Sequence, residues 1–276
     1  MLAAAPAIAG CASDDVLSPE AVARAADRTA AKGGVRVAID QTITLPGQSP
    51  ISMTGSGVID PKAQRGHITL DLSRIPGLPN DIRAGRQEVI FEHFTMYMRS
   101  PLFAASLPEG KRWLKVDFIK AGRTAGVDLG ALAQQRQDPT QALRYLEAAS
   151  GDVKRVGAER VRGVDTTHYR ATIDLLRYAD VVPANERASV RHTMSQIVKL
   201  AGADSFPMEV WIGQDGVVRR MRQRIRTLVA PGIRGTIDQR IELFDFGTRV
   251  RLQLPPPDEI EDATDSAARG VRDLTQ

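Results

Sequence analysis

Along most of the chain, apolar and polar residues alternate with a period of two, the mark of half-buried strands. Val35, Val37, Ile39, Ile43 and Leu45 share one parity, while Arg36, Asp40, Thr42 and Thr44 take the other. A turn over 46–50 leads to a strand over 52–59, and Asp60-Pro61 turns into 67–73, where Ile68, Leu70 and Leu72 are in phase; a three-strand antiparallel meander is expected. After a Pro/Gly-rich connection, Phe94, Met96 and Met98, and then Leu114, Val116 and Phe118, mark two more strands. A further pair is predicted over 153–161 and 166–175, joined at Gly163, with Tyr169, Ala171, Ile173 and Leu175 in phase. Met208, Val210 and Ile212 alternate with Glu209 and Trp211 before a hairpin turn at Gln214-Asp215-Gly216. Strands over 217–229, 235–246 and 249–254 complete the sheet.

The period changes to that of a helix in three places. Ser18-Pro19-Glu20 is an N-cap signature, and the Ala-rich stretch that follows closes at Gly33-Gly34, which predicts a helix over 18–32. Asp138-Pro139 opens a second, with Gln141 at the capping-box position and an end near Ser150. The third runs over 184–201, where Val190, Met194, Ile197, Val198 and Ala201 form an amphipathic stripe. Nothing in the middle reads as a flexible linker and no repeat is apparent, so the strands on both sides of the helices are expected to join one sheet in a single α+β domain. Pro255, Pro256 and Pro257 should stop pairing, and the tail over 255–276, lacking large apolar residues, is expected to be disordered.

Composition narrows the function classes. At 276 residues the chain is long enough to bury about three quarters of its unfolded surface. Lys plus Arg number 37 against 33 Asp plus Glu, a net charge of +4 that is too small a bias for dedicated nucleic-acid binding. One cysteine, Cys11, leaves no intramolecular disulfide, cysteine-ligated zinc site or iron–sulfur cluster to form, and the four scattered histidines have no metal-ligand spacing. No metal and no cofactor are expected. With aromatics at 5%, stacking platforms for single-stranded nucleic acid or sugars have too few rings.

Two clusters invite a chemical reading. Arg220, Arg222, Arg224 and Arg226 share one parity and could hold an anion, but Asp238 and Glu242 lie in phase on the next strand, so cross-strand ion pairs on a solvated face are the stronger expectation. Asp165, Thr166, Thr167 and His168 look like a catalytic group, yet alternation turns Asp165 and Thr167 away from His168. There is no GxSxG elbow, no P-loop and no GxGxxG after a strand, and the chain is read as a non-enzyme.

The uncharged start over 1–13 reads as a processing segment. Ile8, Ala9 and Gly10 directly before Cys11 resemble the lipobox of bacterial lipoproteins, in which the cysteine is diacylated and becomes the new N-terminus. No Lys or Arg occurs before Arg24, so a start codon upstream is expected. The run over 42–59 is long enough to span a bilayer, but its prolines, glycines and hydroxyls make it a hairpin.

Together with the lipobox, three blocks, GVDTTHYRATIDL (163–175), FPMEVWIGQDGVVRRMR (206–222) and MYMRSPLFAASLPEGKRWLKVDF (96–118), resemble the actinobacterial LppX/LprG-type lipoproteins of the LolA/LolB-like superfamily, over about 18–256. The resemblance implies a strongly twisted antiparallel half-barrel with helices covering its concave apolar face, and a cavity there for acyl chains. It also implies residues 1–10 as signal-peptide remnant, 11–17 as lipidated cysteine and tether, 18–254 as the lipid-binding domain, and a protein held on the extracytoplasmic side of the cell membrane by acylated Cys11. Family members bind or carry lipids and glycolipids toward the cell surface, and some work beside a membrane exporter. The implied function is a monomeric lipid or glycolipid carrier, with the membrane and an exporter as partners; the alternative is a non-carrier envelope lipoprotein that binds a transporter or cell-wall enzyme through its outer surface. Strand parity and helix faces select Val37, Ile39, Leu70, Met96, Met98, Val116, Ile173, Met194, Ile197, Val210 and Ile212 as cavity-lining residues.

Overall fold

The computed structural model describes residues 16–17, 19–125, 153–180, 182, 184–185, 187–230 and 233–275. Its frame is one unclosed, twisted sheet of 13 strands: β1 (Val16–Leu17), β2 (Val35–Thr44), β3 (Ile51–Asp60), β4 (Arg65–Asp71), β5 (Arg86–Glu92), β6 (Thr95–Arg99), β7 (Trp113–Asp117), β8 (Val153–Val161), β9 (Val164–Asp174), β10 (Ser205–Gly213), β11 (Val218–Ala230), β12 (Ile233–Phe244) and β13 (Ile260–Asp262). The spatial order is β1-β8-β9-β10-β11-β12-β2-β3-β4-β5-β6-β7-β13. Two antiparallel meanders, β2 to β7 and β8 to β12, are therefore joined edge to edge where β12 pairs with β2, with Ile241 opposite Ile39. The last strand, β13, is parallel to β7.

Local chemistry explains the turns. Val161 and Val164 face each other across Arg162 (φ 46°) and Gly163 (φ 82°), a two-residue hairpin in which both central residues take positive φ. Gly216 (φ 73°) closes the hairpin from β10 to β11, its N–H donating to the Gly213 carbonyl at 2.8 Å.

Among the described residues the helices are α1 (Pro19–Ala31), α2 (Asn80–Arg83), α3 (Phe118–Ala125), α4 (Arg187–Ala201) and α5 (Thr264–Thr275). Helix α1 ends, as expected, at Gly33 (φ 76°). It presents Ala25 to a core made by Val35, Val37, Val153, Ile173, Val210 and Leu243. Helix α4 buries Val190 and Met194 with Tyr178, Ala179 and Val182 in a second, smaller cluster. The helix expected over 138–150 lies outside the described residues.

Several expectations meet a different structure. The segment over 249–254 adds no strand; it passes over the start of β2, where Val250 and Thr248 close on Gly34 so tightly that a Cβ there would meet the Thr248 carbonyl. The tail is ordered: the prolines end the preceding run, but β13 then pairs with β7, and α5 packs against α3 through buried Ala268 and Ala121. Small residues suffice there because two helices approach closely. Of the tether expected over 11–17, Val16 and Leu17 pair with Lys154 and Val153 at the sheet edge, and the remainder lies outside the described residues. Phe118 opens α3 instead of closing a strand.

Candidate functional site

The two faces of the sheet differ in chemistry. On one, cross-strand rows are apolar over many strands: Tyr169, Val210, Met221, Ile241, Ile39, Gly55 and Leu70 stand opposite one another in succession from β9 to β4. A second row runs from Leu243 through Val37, Gly57, Ile68, Val89 and Met98 to Leu114. The glycines in these rows let neighbouring strands and large side chains close in: a Cβ on Gly55 would lie 2.5 Å from Leu70 Cδ2, and one on nearby Gly66 would lie 2.6 Å from the Phe91 ring.

The sequence-selected residues are not brought together in one place. Val37, Ile39, Ile173, Val210 and Ile212 are buried together in the main core. Met194 belongs to the smaller cluster under α4. Leu70, Met96 and Met98 stay half-buried on β4 and β6, as do Ile225, Ile237, Ile43 and Ile51, which stand opposite one another from β11 to β3, and Met53, while Val116 on β7 is buried opposite Met96. Ile197 is on α4, its side chain outside those described, and Cys11 lies outside the described residues.

One polar row interrupts this surface. Gln223, Gln239 and Gln41 occupy the apolar phase of β11, β12 and β2 and stand in register, with Met208 beyond Gln223 and Met53 beyond Gln41. Gln223 Nε2 donates to Gln239 Oε1 at 2.9 Å, and Gln239 Nε2 donates to Gln41 Oε1 at 3.2 Å. Each glutamine sits between apolar residues in its strand (Met221 and Ile225, Ile237 and Ile241, Ile39 and Ile43), so the anomaly is visible in the sequence. Its alignment across three strands requires the register.

The opposite face carries charge. Arg222 and Asp238 form a two-pronged pair at 2.9 and 2.8 Å, and Arg224 donates to the same carboxylate at 2.7 Å. Arg220 holds Glu242 at 2.8 Å and Glu159 at 2.7 Å, while Arg240 holds Asp40 at 2.7 Å. Arg220, Arg222 and Arg224 are thus paired across the strands, as their phasing against Asp238 and Glu242 implied, while Thr236 stands opposite Arg226. The hydrogen bonds from Arg222 and then Arg224 hold the Asp238 carboxyl down at about 2. A hollow of about 730 Å³ opens over these groups, lined by Thr42, Thr44, Thr236 and the Asp40, Asp238 and arginine network.

Beside it lies a cluster that sequence reasoning missed. His168 stacks on Trp211 with ring centroids 4.1 Å apart and planes 8° from parallel, and its Nε2 lies 2.6 Å from Glu209 Oε2. The Trp211 indole donates to Glu159 at 2.6 Å, and this bond, ahead of Arg220, lowers the Glu159 carboxyl below its ordinary range. Asp165 is engaged instead by Arg160 at 3.1 Å, so it and His168 form no dyad. With His168 and Trp211 both nearly buried and each polar end paired, the cluster locks β9 to β10 and β8. Among the described residues no group of His, Cys, Asp or Glu is arranged to hold a metal ion, and no helix is long and apolar enough to cross a membrane.

No family model matches the chain. An uncharacterized 31.2 kDa protein of Streptomyces griseus, from the rplA–rplJ intergenic region, is 26% identical over 165 residues, covering 58% of this chain and 51% of that one. A protein of Streptomyces coelicolor named as a candidate lipoprotein is 27% identical over 157 residues, covering 55% and 43%. The chain thus spans about half the length of the curated relatives it matches. Among solved structures, LprF of Mycobacterium bovis is 18% identical with a TM-score of 0.42, covering 87% of this chain and 99% of that one. The lipoprotein LppX of Mycobacterium tuberculosis is 12% identical with a TM-score of 0.45, covering 86% and 100%. A LolA superfamily protein of Nitrosomonas europaea is 10% identical with a TM-score of 0.31, covering 83% and 95%.

Proposed function

Taking a chain that resembles LppX/LprF-type, LolA-like lipoproteins as the premise, we propose that this protein is a lipid-anchored envelope lipoprotein that binds a lipid or glycolipid against the apolar face of its sheet and carries it. The observation behind this reading is that face itself: over β3 to β6 its Ile, Leu, Met, Val and Phe side chains remain half-buried, while on the opposite face β11, β12 and β2 are tied by ion pairs. An apolar surface left accessible over several strands is where an apolar ligand gains most. Each CH₂ removed from water is worth about 0.8 kcal/mol, so an acyl chain of about sixteen carbons needs about 12 kcal/mol of shelter to cross an aqueous layer. Helices covering the concave side would complete the enclosure, and α1 and α4, which pack against β11, would be two of them. Acylation of Cys11 would hold the carrier at the membrane, and an exporter would be a natural donor or acceptor of its cargo.

The test is mass spectrometry of organic extracts from the protein purified out of an actinobacterial host, beside an unrelated protein from the same host. Near-stoichiometric lipid enriched over the control is the expected outcome. A clean protein would overturn the carrier reading in favour of a partner-binding module that uses the charged face.

A further inference from the structure

We propose that the row Gln223, Gln239 and Gln41 is a recognition site for an uncharged carbonyl, the ester of a lipid whose polar linkage lies between two aliphatic arms. The inference rests on the lipid-binding reading above and narrows its substrate class. The three amides run head to tail, so their dipoles add and the row has two unlike ends. Among the described residues, the Gln41 amide nitrogen at one end donates to no protein acceptor and the Gln223 oxygen at the other receives no protein donor. A half-buried amide N–H pointed along a polarised row is a ready donor for a carbonyl oxygen, and in apolar surroundings such a bond discriminates well.

The flanks define what the carbonyl is attached to. One side-chain repeat along the strands, about 7 Å away, stand Met221, Ile241 and Ile39; at the same distance on the other side stand Ile225, Ile237 and Ile43. Across these nine positions no charged side chain occurs. A free fatty acid or a phosphate headgroup would bring a bare anion onto nine positions that hold no cation to meet it, at high cost. A linkage buried in mid-chain, with hydrocarbon leaving it in both directions, matches a polar stripe that has apolar stripes on either side. A ladder that merely stiffened the sheet would confer no preference among lipids of equal size.

That difference is the experiment. The full chain is loaded from cyclodextrin with hexadecyl palmitate or with dihexadecyl ether, which share their arms and differ in the carbonyl, and retained lipid is quantified by mass spectrometry. The ester is expected to be held about tenfold more tightly, the scale of one neutral hydrogen bond. In Gln41→Leu, with thermal stability checked alongside, the preference is expected to fall to about one while ether binding persists. Equal retention of both lipids by the unmodified chain overturns the amide site and leaves lipid binding standing, and this comparison needs no variant to fold. A preference that survives in folded Gln41→Leu also overturns it. Retention of neither lipid overturns the lipid-binding reading and the amide site together.

Discussion

Asp238 accepts hydrogen bonds from two arginines, Arg222 and Arg224, and its pKa is drawn down to about 2. Because the folded value lies below the ordinary value of about 3.9, this carboxylate contributes stability that is complete above that value and is lost as pH falls toward about 2. Thermal melts should therefore show the wild-type chain losing stability between about pH 4 and pH 2, and Asp238→Asn should lower the melting temperature at pH 7 while flattening that part of the profile. A variant whose profile stays parallel to the wild type would remove Asp238 from the acid transition. The pairing was legible in advance, since Arg220, Arg222 and Arg224 are phased against Asp238 and Glu242. The stacked pair of His168 and Trp211 was not, because residues 43 positions apart meet only once the register of β9 against β10 is set.

Between elements, one hydroxyl ties α1 to the sheet. Buried Thr29 donates from Oγ1 to the Ala25 carbonyl at 2.6 Å, and the same oxygen accepts the Val218 N–H at 2.9 Å, at the point where a bulge between Trp211 and Ile212 shifts the ladder. Thr29→Val keeps the side-chain shape but leaves the Val218 N–H buried without an acceptor, which should cost about 1–3 kcal/mol in denaturant unfolding. Thr29→Ser, which retains the oxygen, should cost less; equal losses would mean that packing and not the hydrogen bond anchors the helix. Periodicity foretold α1, α4 and most strands because each has a dominant apolar phase. It could not foretell β13 and α5, whose contacts use Ala268, Ala121 and Thr264 and a parallel pairing with a strand some 147 residues earlier. Short segments of small residues carry little periodic signal, and their order comes from what they pack against.

For the whole molecule, the proposed anchor and the proposed cargo site make separable demands. A lipoprotein cysteine bearing two or more acyl chains stays on a membrane, whereas a single chain would bind only marginally. Cys11→Ser should therefore move the protein from the membrane to the soluble fraction of an actinobacterial host and abolish incorporation of an alkynyl palmitate label; retention of both would sink the assignment of Cys11. Substitutions meant to probe cargo belong at half-buried Leu70, Met53 or Met98, because Ile173 (1% exposed) and Val210 (4% exposed) are core, and an arginine at either would unfold the chain before it tested a cavity. The sequence by itself determined that one sheet forms, which phase of each strand is apolar, and where most turns fall, since alternation, Gly/Asp turns and caps are local in origin. Only the tertiary structure decided that β12 joins β2, that the tail returns to β7, that some apolar positions are closed in the core while others remain accessible, and that three glutamines line up in one row. Each of those depends on register between strands distant in the chain, and register is set by the packing of the whole face.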